Sequence, residues 1–388
     1  MALNFAFTDE QLAFRASVRD FAEKVVRPGA DARDRDGRWD PEVWRAVGEF
    51  GLAGLPVPEE YGGQGADIIT TCMALEGLEE GGRDSGLLLS LGAHLCIGAV
   101  PIWLHGTEEQ KRAYLPKLCS GEWVGAFAIT EPGAGSDTAG IKTSARRDGD
   151  HFVLNGSKTF ITNGPIADVI NVVAVTDPDA ASSQRMSCFI VDKDTPGLEI
   201  GKHLDKSGNR SSPTSELQFS DCVVPASQML GPEGSALWKV AFECFDWERT
   251  VMVSASLGGM EAQLKACIEY AQDRTAFGKP IADFEMIQDK LARMRVGINA
   301  ARWVLYHAAW LKQQDQPHMQ EASIAKYLVA ETAVQNALEA VQIFGGYGYI
   351  KEFSVERSIR DAKLLSIGGG TSEIQKLIIA RTLLGETK

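Results

Sequence analysis

HFVLNGSKTFITNG, residues 151–164, interrupts a chain that otherwise reads as helix. Apolar runs flank Asn155-Gly156. That pair is the strongest short-range hairpin signal, because Asn and Gly tolerate the positive φ a two-residue turn needs. The stretch therefore predicts antiparallel strands joined at Asn155-Gly156. Its neighbours agree: VINVVAVT (169–176), MSCFIVD (186–192) and SELQFSDCVV (215–224) are short, β-branched or alternating, and bounded by Gly, Pro and Asp.

Outside this section the texture is helical. TDEQLAFRASVRDFAEKVV (8–26) has Thr8 as an N-cap, acids in its first turn, and Leu12, Val18, Phe21 and Val25 near helical spacing. RWDPEVWRAVGEFGLAGL (38–55) offers Asp40 as a cap with Pro41 at the first helical position. GLLLSLGAHLCIGAVPIWL (86–104) is apolar enough to suggest a membrane span. Its His94, Pro101 and glycines favour a buried helix ending near Pro101. After LGPEGSALW (230–238) helix returns and persists. The expected organisation is α+β, with residues 1–125 helical, 126–233 a β domain and 234–388 helical.

Bulk properties narrow the function. The 388 residues carry a net charge of −13, which argues against polyanion or nucleic-acid binding over a broad surface. Seven cysteines (72, 96, 119, 188, 222, 244 and 267) are scattered without C-x-x-C spacing, as expected of buried thiols in a reducing compartment. The six histidines form no ligand cluster, so no metal is expected. MALNFAFTDEQLAFR has early acids and no long apolar core, which reads as no leader peptide and a cytoplasmic protein. There is no P-loop, and GAGSDTAG (133–140) lacks the dinucleotide spacing.

AITEPGAGSDTAG (128–140) reads first as a turn-rich loop; it also offers hydroxyls (Thr130, Ser136) and backbone donors that suit a flavin pyrimidine edge and pyrophosphate. LLSIGGGTSEIQKLIIAR (364–381) sets three glycines before a helix start, where N–H groups can meet an anion.

These segments, with KTFITNG (158–164), DRTAFGKPI (273–281) and QIFGGYGYIKEFSVERSIRD (342–361), resemble the acyl-CoA dehydrogenase family in order and over essentially the whole chain. The resemblance implies a helical N-terminal domain, a middle β domain and a C-terminal four-helix bundle. It implies FAD and α,β-dehydrogenation of an acyl thioester. It assigns Phe127, Ile129, Thr130, Ser136, Phe160, Ile161 and Thr162 to the flavin site. Arg274, Phe277, Gln342, Gly345 and Gly346 would contact FAD across a subunit interface, with Thr371 and Glu373 beside the glycine turn. A homotetramer and an electron-transfer flavoprotein as acceptor follow from the same resemblance. Two positions depart from it: Phe160 stands where many relatives have Trp, and Glu285 where many have Gln, which leaves Glu285 without a cofactor role.

Most relatives carry a catalytic glutamate where this chain has Gly369. Glu248, in AFECFDWERTVMVSASLGGM (241–260), is the expected replacement. On a helix it shares a face with Ala241, Cys244, Phe245, Val251, Met252, Ala255 and Gly258, so a lone carboxylate there is costly unless it serves a site. Asp246 and Arg249, three apart, are expected to pair and leave Glu248 free. Isovaleryl-CoA dehydrogenase-type members resemble this arrangement, with a small residue at the glycine turn and a segment like Asp205–Arg210; prolyl-carrier-protein dehydrogenase-type members resemble it in the helix-borne Glu and the small residue at the turn. The resemblance sets Ser136, Asp246, Arg249, Gly369 and Gly370 against the substrate, with Glu248 as base and Gly369 as a backbone donor to the thioester oxygen. Space at 369 suits a short branched or cyclic acyl group, on CoA or on a carrier protein; Trp247 leaves the carrier open. A non-catalytic flavoprotein and a flavin oxidase are the competing readings.

Overall fold

A computed structural model describes residues 6–385; residues 1–5, where the opening stretch read for a leader begins, and 386–388 lie outside the described residues. Seven α-helices come first: α1 (Asp9–Phe21), α2 (Ala30–Asp36), α3 (Pro41–Glu49), α4 (Ile68–Gly82), α5 (Ser85–Gly92), α6 (Val100–His105) and α7 (Glu108–Cys119). Thr8 and Gln11 close a reciprocal capping box on α1, and Asp40 caps α3 with Pro41 at its first turn. α5 and α6 form one continuous helix through a π segment, Ala93–Ala99, so the chain does not stop at Pro101 as expected. The wider turn carries the Val100 N–H back to the Leu95 carbonyl. The missing N–H of Pro101 then falls in the first turn of α6, where no partner is required. Most of this apolar helix is buried inside the protein, as a core helix is.

The sheet follows, from β1 (Gly125–Ala128), β2 (Ser144–Asp148), β3 (His151–Thr162), β4 (Val169–Val175), β5 (Met186–Asp192), β6 (Leu198–His203), β7 (Thr214–Pro225) and β8 (Met229–Leu230). The order is β6-β7-β3-β2-β4-β5-β8, with β1 parallel to β4. Asn155-Gly156 is not a turn. β3 runs unbroken through it, and the register against β7 slips between Leu154 and Gly156. The pair forms a bulge that twists the strand. A Cβ at Gly156 would sit 2.6 Å from Thr143 Oγ1, so close strand approach requires the glycine. Asn155 instead exchanges two hydrogen bonds with Asp221, at 3.1 and 2.9 Å. The hairpin turns at Gly149-Asp150, between the paired Asp148 and His151.

Past the sheet, α8 (Phe242–Trp247), a π segment Glu248–Met252, and α9 (Val253–Asp273) form one rod. The small hairpin β9 (Thr275–Ala276) and β10 (Lys279–Pro280) leads to α10 (Glu285–Gln313) and α11 (Met319–Phe344), then α12 (Arg357–Leu365) and α13 (Ser372–Leu383). A single apolar core runs from Val18 and Leu75 to Leu305, Val329 and Phe344, so the first and last helical sections bury their faces on each other. Glu76 ties them with Arg15 (2.9 Å), Arg302 (2.6 Å) and Tyr306 (2.9 Å).

The sheet has its own core around Phe152, Phe189 and Leu217. Three polar side chains dock it on the helices. His94 Nδ1 accepts from the Gly125 N–H at 3.0 Å, which makes Nε2 the donor to the Ala53 and Leu118 carbonyls, both at 3.1 Å. Asn163 donates to the Ser90 and Gly125 carbonyls, and Asn171 to those of Ile97 and Gly98 in the π segment. On the other side, the Asp205–Arg210 loop clamps α12: the Asn209 N–H meets Asp361 Oδ1 at 2.6 Å, and Gly208 lies against the Arg360 carbonyl. All seven cysteines are buried free thiols.

Candidate active site

Gly369 and Gly370 adopt consecutive left-handed conformations, φ 62° and 85°. Their carbonyls are tied down: Gln375 Nε2 reaches both at 3.3 and 3.0 Å, and the Gly370 carbonyl also takes Lys326 Nζ at 2.5 Å. Among the described residues neither N–H has a hydrogen-bond partner. The turn therefore presents two fixed donors beside the start of α13, whose first N–H groups Thr371 caps. An anion or a developing oxyanion fits such a place.

Glu248 faces this turn. A Cβ on Gly369 would stand 3.5 Å from Glu248 Oε2, so the carboxylate meets the position where a side chain is missing. Its neighbours are largely apolar, and burial pushes its pKa up to about 7, while Arg249 and Lys326 pull the other way. The group is thus set near the pH where a carboxylate both abstracts and holds a proton.

Asp246 and Arg249 do not pair. The rod changes from α to π winding at Glu248, which breaks the three-residue spacing that the pairing required. Asp246 Oδ2 instead meets His318 Nε2 at 3.0 Å and Lys312 at 3.8 Å, and Asp246 raises the pKa of His318. Arg249 swings to the glycine turn: its Nη2 lies 4.0 Å from a Cβ on Gly370, and its ring neighbour is Phe245. It is 6% exposed, and its Nε and Nη1 have no partner among the described residues. A buried cation with idle donors calls for a ligand acceptor.

The β side supplies the other half. Phe127 is buried in β1; Ile129 and Thr130 continue from it, half-buried. Lys158, 0% exposed, anchors this segment through the Ile129 carbonyl (3.0 Å) and Glu131 (2.9 Å), whose carboxylate also accepts the Lys142 and Thr143 N–H groups. Ser136 and its glycines are exposed on the loop, with open space at Gly133 and Gly135. Phe160 is 68% exposed at φ 59°, and Ile161 and Thr162 follow in the ladder. Across from them, Ser215 Oγ and Thr214 Oγ1 are buried without partners.

Arg274, Gly345 and Gly346 line a separate surface cavity of about 470 Å³, where Arg274 lies over Tyr347. Phe277, at the tip of the β9–β10 hairpin, is 97% exposed at φ 52°. A bulky residue in the left-handed region is strained. Two such residues, Phe160 and Phe277, both hold flat apolar rings into solvent. These rings, the idle hydroxyls and the open glycine loop fit a stacked, hydrogen-bonded FAD. Gln342 and Glu373 are exposed beside their motifs.

The sequence reading missed Lys326, Gln375, Lys158 and Glu131. For Lys326 the signal was present: it is a lone cation on a helix face with Ala322, Ala325, Val329 and Ala330. The logic that singled out Glu248 applies to it equally.

Fold and site define an FAD oxidoreductase acting on acyl thioesters. Three family models match in sequence: the acyl-CoA dehydrogenase N-terminal domain at 8–122, the middle domain at 126–222 and the C-terminal domain at 238–384. The chain belongs to the acyl-CoA dehydrogenase family. It is 40% identical to mitochondrial isovaleryl-CoA dehydrogenase of Oryza sativa over 387 residues, 99% of this chain and 94% of that one. The crystal structure of the prolyl acyl carrier protein oxidase AnaB superposes with a TM-score of 0.95 at 39% identity, covering 97% of this chain and 100% of that one. The FAD complex of PigA does so at 0.95 and 35% identity, covering 98% and 99%.

Proposed function

We propose that this enzyme dehydrogenates a short branched acyl thioester of the isovaleryl-CoA type at its α,β carbons, with Glu248 as the base. The observation that carries the reading is the contact between Glu248 and the side-chain-free Gly369. The carboxylate takes the α proton. The Gly369 N–H, in a turn fixed by Gln375 at the Gly369 carbonyl and by Lys326 at the Gly370 carbonyl, receives the negative charge that builds on the thioester oxygen. Arg249 closes the donor set from the helix side. The Phe127–Ser136 and Phe160–Thr162 segments, with Arg274, Phe277, Gln342, Gly345 and Gly346 of a neighbouring subunit, would hold FAD, which would supply the hydride acceptor for the β hydrogen. Thr371 and Glu373 flank it from the start of α13. Space at residue 369 favours a group branched beside the reacting carbons. An electron-transfer flavoprotein is the expected acceptor and a homotetramer the expected assembly, in the cytoplasm.

The likeness to AnaB supports a second reading, a prolyl group on a carrier protein. Trp247 does not discriminate between the two, because it packs on Trp103 at 6.3 Å and under Lys312. Anaerobic titration with isovaleryl-CoA, isobutyryl-CoA, butyryl-CoA and prolyl-loaded carrier protein, followed by flavin absorbance, tests both. Bleaching by isovaleryl-CoA is expected; reduction only by the carrier-loaded substrate would replace the first reading with the second.

A further inference from the structure

A cavity of about 440 Å³ begins next to the site and leads away from it. Its near end is lined by Met252, one turn beyond Glu248, and by Leu365, four residues before Gly369. From there it follows α9 past Ala255, Ser256 and Gly259, whose small side chains leave the bore open. Gly259 lies about 10 Å along the helix from Met252, at 1.5 Å per residue.

The far end is polar and incomplete. Glu79 and Arg83, one turn apart at the end of α4, cross α9 at Gly259–Gln263. A Cβ on Gly259 would stand 3.3 Å from Glu79 Cγ, and Arg83 Nη2 donates to the Ala262 carbonyl at 3.1 Å. Ser85 Oγ donates to Glu79 Oε1 at 2.6 Å, but Glu79 Oε2 has no partner among the described residues. Gln263, four residues beyond Gly259 and lining the same cavity, has an idle Nε2. Both side chains are buried, at 5% and 8% exposure. Two idle polar groups in one bore are what a site shows before its ligand arrives.

The polar end of the bore also carries Arg27, Arg83 and Arg357. Arg357 is neutralised by Asp31 at 2.9 Å and Asp361 at 3.6 Å. Burial pushes the Glu79 carboxyl up to about 8, which leaves it protonated at neutral pH. The idle pair is thus a carboxylic acid and a carboxamide, each able to donate and accept.

We infer that this bore takes acyl tails ending in a neutral hydrogen-bonding group, a hydroxyl or a carboxamide, held between Glu79 and Gln263. The inference rests on the acyl-thioester dehydrogenase reading but not on a short chain; an isovaleryl group would occupy only the Met252 end. An apolar tail leaves both groups unpaired, and a terminal carboxylate, which only accepts, uses half of what an acid and an amide offer.

The test compares anaerobic flavin reduction by octanoyl-CoA, ω-hydroxyoctanoyl-CoA and suberoyl-CoA, in the wild type, Glu79→Leu and Gln263→Leu. The readout is the ratio of rate constants at subsaturating substrate within each variant, which is independent of how much of that variant folds. The wild type should favour the hydroxylated tail over octanoyl by about tenfold or more, the value of one well-made hydrogen bond. Either substitution should bring the ratio towards one. Equal rates with the two tails, preference for suberoyl, or a ratio untouched by both substitutions would overturn the tail site. Failure of every thioester, isovaleryl-CoA included, would count instead against the dehydrogenase reading.

Discussion

Glu248 Oε2 lies 3.5 Å from the point where a Cβ on Gly369 would begin. The carboxylate from the rod and the vacant position on the glycine turn therefore address the same small volume. A thioester α-carbon placed there meets a base on one side and the free N–H groups of the turn on the other. Five expectations follow from this geometry and from the polar anchors around it.

Replacing Glu248 by Gln keeps the shape and removes the base. Substrate-dependent flavin bleaching should fall by about 10²–10⁴-fold, the usual worth of a positioned general base. FAD should remain bound, because the groups assigned to hold it lie on other segments. Near wild-type bleaching would remove Glu248 from the mechanism.

Gly369→Glu adds both strain and charge. At φ 62° a side chain costs about 1–2 kcal/mol in the left-handed region, so the melting temperature should drop. Branched substrates should lose more rate than straight ones as the space fills. Two facing carboxylates also resist joint ionisation, which should move the acid limb of the rate profile upward. A uniform loss across substrates would discard the space argument.

The rate should rise as pH passes through about 7, since burial raises Glu248 and only its ionised form takes a proton. Lys326 and Arg249 oppose that rise; Cys96 and Cys244 on the packed faces carry no positive charge. Lys326→Met should therefore shift the acid limb to higher pH and loosen the turn, while Lys326→Arg restores part of the profile. An unmoved limb in Lys326→Met would show that the lysine acts on the turn alone.

His94 gives a stability test with a defined sign. Burial lowers its pKa to about 4, from an ordinary histidine value of about 6.5. The unfolded chain thus binds the proton more readily between these values. The contribution is full above about 6.5 and is lost as pH falls towards 4, by roughly 3 kcal/mol at 1.36 kcal/mol per unit. Urea unfolding of the wild type should steepen with acidity across that window, and His94→Gln should flatten it. Parallel curves would mean that His94 is not the titrating link between the helices and β1.

Lys158 and Glu131 support the loop expected to hold FAD. Lys158→Met leaves a buried carboxylate without its cation and should cost about 3–5 kcal/mol, with weaker flavin retention. Adding Glu131→Gln should recover part of both, measured by urea unfolding and by FAD remaining after gel filtration. No recovery in the double variant would show that the pair is not the cause.

How much was legible can be argued residue by residue. The capping box at Thr8, the Asp40-Pro41 start and the run of strands after residue 125 were readable because each depends on neighbours within a few positions. Asn155-Gly156 misled because the same φ freedom serves a turn or a bulge. Which of the two forms is decided by Thr143 and Asp221, residues distant in sequence. The end expected at Pro101 failed because a π turn can absorb a missing N–H, and Asn171 from the sheet donates to carbonyls in that turn. The pairing of Asp246 with Arg249 failed because regular helical spacing does not hold across another π turn.

By itself the sequence determined the α-β-α organisation, the family signatures, and a glycine at 369 with a lone glutamate at 248. These are matters of local pattern and residue identity. Only the tertiary structure decided that Glu248 meets Gly369, that Lys326 and Gln375 hold the turn by its carbonyls, and that Arg249 turns towards it while Asp246 turns away. Such contacts join α8, α11 and α13, and their geometry depends on how the rod is wound and packed. No period in the sequence records that winding.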